Sequence, residues 1–215
     1  MALVVFDLDG TISRHDTLLA YMLGFLGRNP QRWPRIILWL PAMVRFTLGN
    51  PDRGVLKSAL MRAALGGCSR AKLDAWTNRY VSELLTGGVF ADAVSMVAEH
   101  RAKQDVLVLM SASPDLYVPE IARRLGFTET ICTGVRWRGE RFDGALTTPN
   151  RQGAEKALCF ESLRARYPGL ATIVYANSAT DFDHLELADE AWLINPSPAL
   201  LHRAQGKHFR VLTWR

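Results

Sequence analysis

The chain has 215 residues, 48% hydrophobic and 22% charged, which excludes a disordered segment and fits one full core with room for a small accessory domain. Its three cysteines, Cys68, Cys132 and Cys159, lie far apart without C-x-x-C spacing, so neither a disulfide framework nor a zinc site is expected, and a reducing cytoplasm suits them. The net charge of +5 is uneven: from Arg14 to Leu85 eleven Lys and Arg stand against four acids, a local +7 that leaves −2 for the rest.

In chain order, the first element is "ALVVFD", with no basic stretch before it and Asp7 interrupting its apolar run, so it reads as a strand and not a signal peptide. It ends in Asp7-Leu8-Asp9-Gly10-Thr11. Such a turn can swing both carboxylates and the following N–H groups around one anion, or it can simply cap the strand. About ninety residues precede the next strand, where a crossover needs about a dozen. The intervening patterns, "TLLAYMLGFLG", "RWPRIILWLPAMVRFTLG", "GVLKSALMRAALGG" and "SRAKLDAWTNRYVSELLTGG", are helical and separated by Asn-Pro and Gly-Gly breaks. They predict a helical cap over residues 14–85, with residues 1–13 and 86–215 as the core.

Thr17 to Pro51 carries no acid, while Arg28, Arg32, Arg35 and Arg45 punctuate an apolar run containing Trp33 and Trp39. Two readings stand: an interfacial segment on an anionic membrane, or a cap helix whose apolar face is the cap's own core. Pro34, Pro41 and Arg45 interrupt it before the ~20 apolar residues a spanning helix needs. Aromatics clustered with aliphatics argue against nucleic acid. His15, alone behind the first turn, reads as structural or solvent-facing.

The second strand, "DVLVLMS", ends at Ser111. Ser113-Pro114-Asp115 after it reads as an N-cap, a first-turn proline and a first-turn acid. Ser111 is then left beside a helix N-terminus, to hold a phosphate oxygen or to bond the local backbone. "CTGVRWRGERFDGALTT" predicts a hairpin about Arg138-Gly139-Glu140, with Arg136 and Arg138 on a solvated edge. Lys156 falls in the first turn of a helix, where the macrodipole disfavours a cation. A phosphate or paired carboxylate facing that helix end would account for it; a solvated lysine on a frayed turn is the alternative. The third strand, "ATIVYA", is followed by Asn177, Ser178 and Asp181, oxygen donors suited to Mg²⁺. Asp181 and Asp183 also fit as acids in a helix's first turn, capped by Ser178 or Thr180. With "AWLIN" as a fourth strand, the alternation predicts a doubly wound, Rossmann-like α/β core with a parallel sheet and an inserted all-α cap, its ligand site off the carboxyl ends of the strands.

Taken together, hhhhD-x-D-G-T, a Ser after a strand, a Lys opening a helix and a polar turn ending in Asp resemble the haloacid dehalogenase-like phosphatase superfamily from Phe6 to Leu185. The helical insertion looks like the cap of the subfamily containing phosphoserine phosphatases. "SASPDLYVPEIARRLGF" followed by "NRQGAEK" is similar to the bacterial branch that includes phosphatidylglycerophosphatase C. The resemblance implies Asp7 as a nucleophile forming an aspartyl-phosphate and Asp9 as acid and base. It implies Gly10, Ser111, Ala112 and Lys156 as phosphate binders, and Mg²⁺ held by Asp7, the backbone carbonyl of Asp9, Asn177 and Asp181. Asn177 departs from the family, which usually has an acid there, so weaker metal binding is expected, with Asp181 and Asp183 as compensation. The expected function is a Mg²⁺-dependent phosphomonoester hydrolase acting on a phospholipid head group such as phosphatidylglycerophosphate, in the cytoplasm or peripheral on the inner membrane face. The alternatives are a small soluble, phosphoserine-like substrate and a weakly active membrane-associated phosphate-binding module.

Overall fold

The computed structural model describes residues 1–49 and 52–215. The elements run β1 (Ala2–Phe6), α1 (Thr17–Gly27), a 3₁₀ segment (Pro30–Trp39), α2 (Leu40–Thr47), α3 (Arg53–Leu65), α4 (Arg70–Gly87), α5 (Ala91–Ala102), β2 (Val106–Pro114), α6 (Val118–Leu125), β3 (Glu129–Thr133), β4 (Val135–Arg138) and β5 (Arg141–Leu146). Then follow α7 (Ala154–Arg166), β6 (Ala171–Ala176), a 3₁₀ turn (Ala179–Asp181), α8 (Phe182–Glu186), β7 (Glu190–Ile194), α9 (Pro198–Arg203) and β8 (Arg210–Leu212).

Six strands form one sheet in the order β3-β2-β1-β6-β7-β8, every pair parallel. The chain winds outward from β1 through β2 to β3, then returns to β6 on the other side of β1. The carboxyl end of β1 is therefore a topological switch point, where a crevice opens between diverging connections. Both faces are covered, as a parallel sheet requires. Leu3 and Val5 of β1 pack with Phe160 and Leu163 of α7 and Leu185 of α8; Val4 and Phe6 pack on the opposite face with Val97 of α5 and Ile121 of α6. Each such buried side chain contributes roughly 1.5–3 kcal/mol of transfer free energy, which is why the continuous apolar runs of β1, β2, β6 and β7 were readable as strands.

The insertion is helical as expected, with two differences. The run from Pro30 to Trp39 is 3₁₀, with Pro34 inside it. Proline removes a backbone donor and disfavours α conformation at Trp33, so the segment tightens before α2 begins. Neither the 3₁₀ segment nor α2 contains a fully buried residue. The predicted Asn50-Pro51 break lies outside the described residues. The hairpin β4–β5 forms where predicted, and β5 also bonds the insertion: Phe142 N donates to Cys68 O at 2.9 Å, Gly67 N to Phe142 O at 2.8 Å and Ser58 Oγ to Gly144 O at 2.8 Å. No described helix is long and apolar enough to cross a membrane.

An aromatic cluster docks the insertion on the core. Tyr21 of α1 stacks on Tyr117 with ring centroids 4.8 Å apart, and Tyr80 of α4 meets the same ring edge-on at 5.6 Å. Tyr80 Oη donates to Thr17 O at 2.9 Å, fixing the first turn of α1.

Candidate active site

Asp7 follows β1 directly, and its N–H donates to Tyr175 O of β6 at 2.9 Å, so the sheet ladder itself sets where its carboxylate points. That carboxylate is 6% exposed. Lys156 Nζ, from the first turn of α7, donates to Asp7 Oδ1 and to Asp181 Oδ1, each at 2.6 Å. At 3% exposure Lys156 is no solvated lysine on a frayed turn; two carboxylates account for a cation at a helix N-terminus. Burial pushes Asp7 above the usual carboxylate range against the pull of Lys156. For Lys156 burial works downward, but Asp181 and Asp7 outweigh it and hold the ammonium protonated.

Asp9 is held by three donors. Thr17 N and Thr17 Oγ1 both donate to Oδ1 at 2.6 Å, and Ser113 Oγ donates to Oδ2 at 2.8 Å. Burial raises its pKa, and the Thr17 and Ser113 hydrogen bonds oppose that rise. The turn after Asp9 differs from expectation. Gly10 N donates to Ser13 O, while Thr11, Ile12 and Ser13 N all donate to Leu8 O. The N–H groups assigned from sequence to an anion, that of Gly10 included, thus pair within the turn. Gly10 serves another purpose: at φ +79° it lies so close to Asn177 that a Cβ would meet Asn177 Nδ2 at 2.0 Å.

The second strand also departs from the sequence reading. β2 continues to Pro114, its register against β3 shifting after Met110, and α6 starts only at Val118 with no side-chain cap. Ser113 is therefore not an N-cap but a donor to Asp9, and Ser111 does not sit beside a helix N-terminus. The fully buried Ser111 Oγ accepts from Ser113 N at 3.0 Å, which leaves its own proton to give. Ala112 lines the cavity, and its carbonyl accepts from Lys57 Nζ and Thr133 Oγ1, each at 2.6 Å.

Asn177 follows β6 and Asp181 closes the 3₁₀ turn, with Ser178 Oγ capping Thr180 N at 3.3 Å. Asp181 thus keeps its place in a first turn and faces the site. Asp183 does not: it is about half exposed and pairs with Arg203 at 3.2 Å, turned from the cavity, so it cannot compensate for Asn177. His184, which sequence reasoning passed over, is buried beside Phe160 with Nδ1 unpartnered; burial lowers its pKa to about 3 and keeps it neutral.

Asp7, Asp9, Ala112, Ser113, Lys156, Asn177 and Asp181 border a cavity of about 660 Å³ between core and insertion, whereas Ser111 and Thr17 are buried and do not line it. His15 lines its rim with Arg14 and Asp16, and Lys57, Trp39 and Phe46 reach it from the insertion. Thr17 and Lys57 escaped sequence reasoning, since only the docked insertion brings them to the site, and Ser113 because Ser-Pro-Asp reads as a helix cap where the strand in fact continues. Among the described residues no three His, Cys, Asp or Glu side chains form a metal cluster of their own. Asn177 Oδ1, however, is buried with no hydrogen-bond partner, an acceptor lacking any positive group. Such an orphan beside two carboxylates fits a hard, oxygen-seeking cation.

The haloacid dehalogenase-like hydrolase family profile matches residues 4–186. The protein CicA of Caulobacter vibrioides is 31% identical over 190 residues, covering 87% of this chain and 83% of that one. A Mycobacterium tuberculosis protein named "Probable phosphatase" is 27% identical over 215 residues, covering 97% and 74%. The crystal structure of a Bordetella pertussis Tohama I protein of unknown function superposes with a TM-score of 0.81 at 25% identity, covering 98% of this chain and 97% of that one.

Proposed function

The chain belongs to the haloacid dehalogenase-like hydrolases, and from that premise we propose that it is a Mg²⁺-dependent phosphomonoester hydrolase working through an aspartyl-phosphate on Asp7, with a phospholipid head-group phosphate as substrate. The observation that carries the reaction is the buried lysine shared by two carboxylates beside an orphaned amide oxygen. The phosphatase name of one relative supports the same reading.

Asp7 Oδ attacks phosphorus in line with the ester oxygen; the new O–P bond forms as the P–O bond to the alcohol breaks. Asp9, protonated, gives its proton to the departing alkoxide and then, as carboxylate, takes one from the water that attacks the aspartyl-phosphate. Inorganic phosphate leaves and both aspartates return to their starting states. Lys156 fixes Asp7 Oδ1 and balances the charge of Asp7 and Asp181, while Ser111, which does not line the cavity, accepts from the N–H of Ser113, the residue whose hydroxyl holds Asp9. Asp7, the Asp9 carbonyl, Asn177 Oδ1 and Asp181 form the set that would hold Mg²⁺. When bound, the ion would neutralise the phosphate so that one anion can approach another.

The lipid half rests on the insertion. Between Pro30 and Leu48 the side chains of Trp33, Ile37, Leu38, Leu40, Val44 and Leu48 are exposed, Ile37 at 65% and Leu48 at 81%, while Trp39 and Phe46 of the same stretch line the cavity. One apolar surface thus runs from reaction centre to solvent, as a membrane-embedded substrate requires. Part of the stretch does serve the cap's own core, since Ile36 packs against the buried cluster. Arg32 and Arg35 do not form a cationic face for that surface: both donate to Gly66 O, tying the segment to the C-terminal end of α3.

The test compares phosphatidylglycerophosphate in vesicles with soluble phosphomonoesters, phosphoserine among them, for the wild type and Asp7→Asn. The expected outcome is preference for the vesicle substrate and no turnover by the variant. Equal or better turnover of the soluble set would sink the lipid assignment. Persistent turnover in the variant would sink the nucleophile.

A further inference from the structure

Lys57 of α3 reaches out of the insertion into the catalytic cavity, where its Nζ donates to Ala112 O at 2.6 Å and to Asn150 Oδ1. Both acceptors are neutral. Among the described residues no carboxylate lies within ion-pair distance of this half-buried ammonium, and burial lowers its pKa to about 8. A desolvated charge without a counter-ion is costly, so its retention here needs an anion supplied from elsewhere.

Asp9 and Asp16 attract Lys57 from a distance, but no acid of the cavity pairs with it directly. Asp7 and Asp181 share Lys156, Asp9 is held by Thr17 and Ser113, and Asp16 caps α1 by accepting from Leu19 N at 2.8 Å. One turn before Lys57, Arg53 borders the same cavity and forms no hydrogen bond or ion pair among the described residues. Four residues apart, the two cations share one face of the helix, on which Leu56 and Leu60 also line the cavity. Lys156 has its anions already. Lys57 and Arg53 form a second cationic locus with no directly paired anion among the described residues, on the insertion's side of the cavity that Asp7 also lines.

We infer that Arg53 and Lys57 form a subsite for a second anionic group on the substrate, so that the leaving alcohol carries a phosphodiester, phosphate or carboxylate a few bonds from the phosphomonoester. The inference rests on the proposed phosphatase site only in calling the ligand a substrate; anion recognition by this wall stands apart from turnover. A dianion bound at the Asp7 end leaves the second charge to the α3 face, while Leu56 and Leu60 take the connecting carbons. Such a wall discriminates by charge count and spacing, because a ligand lacking the second anion leaves both cations desolvated and unpaired.

The test uses non-hydrolysable ligands that differ only in the second anion, propylphosphonate and propane-1,3-bisphosphonate, with binding to the full chain measured calorimetrically at neutral pH in Mg²⁺. The wild type is expected to bind the bisphosphonate at least about tenfold more tightly, since hydrogen bonds to charged groups contribute about 1.5–3 kcal/mol. Arg53→Met with Lys57→Met is expected to bring the two affinities within about threefold of each other. Arg53→Met alone, at an exposed position, keeps the comparison available if the double variant fails to fold, and is expected to lose part of the preference. Equal affinities in the wild type, or a preference undiminished in the variants, would overturn the subsite. Parallel turnover of glycerol 1,3-bisphosphate in solution and phosphatidylglycerophosphate in micelles identifies the source of the anion: the variants lose rate selectively on whichever carries it, and equal proportional loss on both and on glycerol 1-phosphate counts against the subsite. Absent turnover with the binding preference intact would strike the phosphatase reading and leave the subsite standing.

Discussion

Lys156→Met subjects the centre of the site to a quantitative check. Lys156 Nζ lies 2.6 Å from Asp7 Oδ1 and from Asp181 Oδ1, and all three side chains are less than a tenth exposed. Removing one partner of a buried ion pair costs about 3–5 kcal/mol, because the charge left behind is neither solvated nor paired. Two carboxylates remain in this case, so the upper part of that range applies. A protein of this size loses about 2–4 °C of Tm per kcal/mol, which gives a fall of roughly 8–20 °C for the metal-free protein at pH 8. The loss depends on pH with a definite sign. Burial already raises Asp7 above its unfolded value, so its protonated form contributes stability at low pH that is lost as pH rises through the folded pKa. Without the lysine Asp7 rises further, and the gap in Tm between wild type and variant should widen from pH 5 to pH 8. Thermal melts followed by circular dichroism in a chelator, at several pH values, supply the measurement. A Tm within about 3 °C of wild type at pH 8, or a gap that does not shrink on acidification, would refute the shared-lysine geometry.

Two further outcomes concern the proposed metal position. Asn177→Asp replaces the orphaned amide oxygen with a carboxylate of the same shape and should tighten Mg²⁺ binding by about tenfold or more, since ligand charge count tunes such affinities over decades; unchanged affinity in a calorimetric titration would mean that Asn177 does not face the ion. Gly10→Ala forces a Cβ to within 2.0 Å of Asn177 Nδ2 at φ +79°, so a loss of at least about 1–3 kcal/mol in denaturant melts should accompany a lost Mg²⁺ response. Wild-type stability together with an intact response would contradict the close packing of Gly10 on Asn177.

What could be read from the sequence follows burial and chain distance. β1, β2, β6 and β7 are covered on both faces and show as apolar runs, whereas the edge strands β3 (Glu129–Thr133) and β8 (Arg210–Leu212) are short and mixed in polarity and carry no such signal. Asp7, Lys156, Asn177 and Asp181 stand at the ends of readable elements, so their convergence follows from the topology. Ser113 was misread because Ser-Pro-Asp matches a capping signature that here falls inside an extended strand after a register shift. Thr17 meets Ser113 across 96 positions and Lys57 meets Ala112 across 55, contacts set by how the insertion docks, to which local pattern is blind.

That docking links Asp9, the proposed general acid, to the insertion. Thr17 is the first residue of α1, and its N–H and hydroxyl both hold Asp9; its carbonyl accepts from Tyr80, and its hydroxyl lies 3.1 Å from Tyr117 Oη, whose ring stacks on Tyr21. Lifting α1 would therefore strip donors from a buried carboxylate and open an aromatic cluster, at about 1–3 kcal/mol for each polar group left unsatisfied. The segment from Pro30 to Thr47 carries no such penalty, since none of its residues is fully buried. Its side-chain hydrogen bonds to the rest of the protein are those of Arg32 and Arg35 to the end of α3 and of Trp39 Nε1 to Leu56 O at 3.2 Å, and Ile36 packs on the buried cluster. Local opening is least costly where few apolar contacts and few buried hydrogen bonds must be given up. The insertion thus joins a firmly anchored half that positions Asp9 to a loosely held half that borders the route by which a substrate would enter.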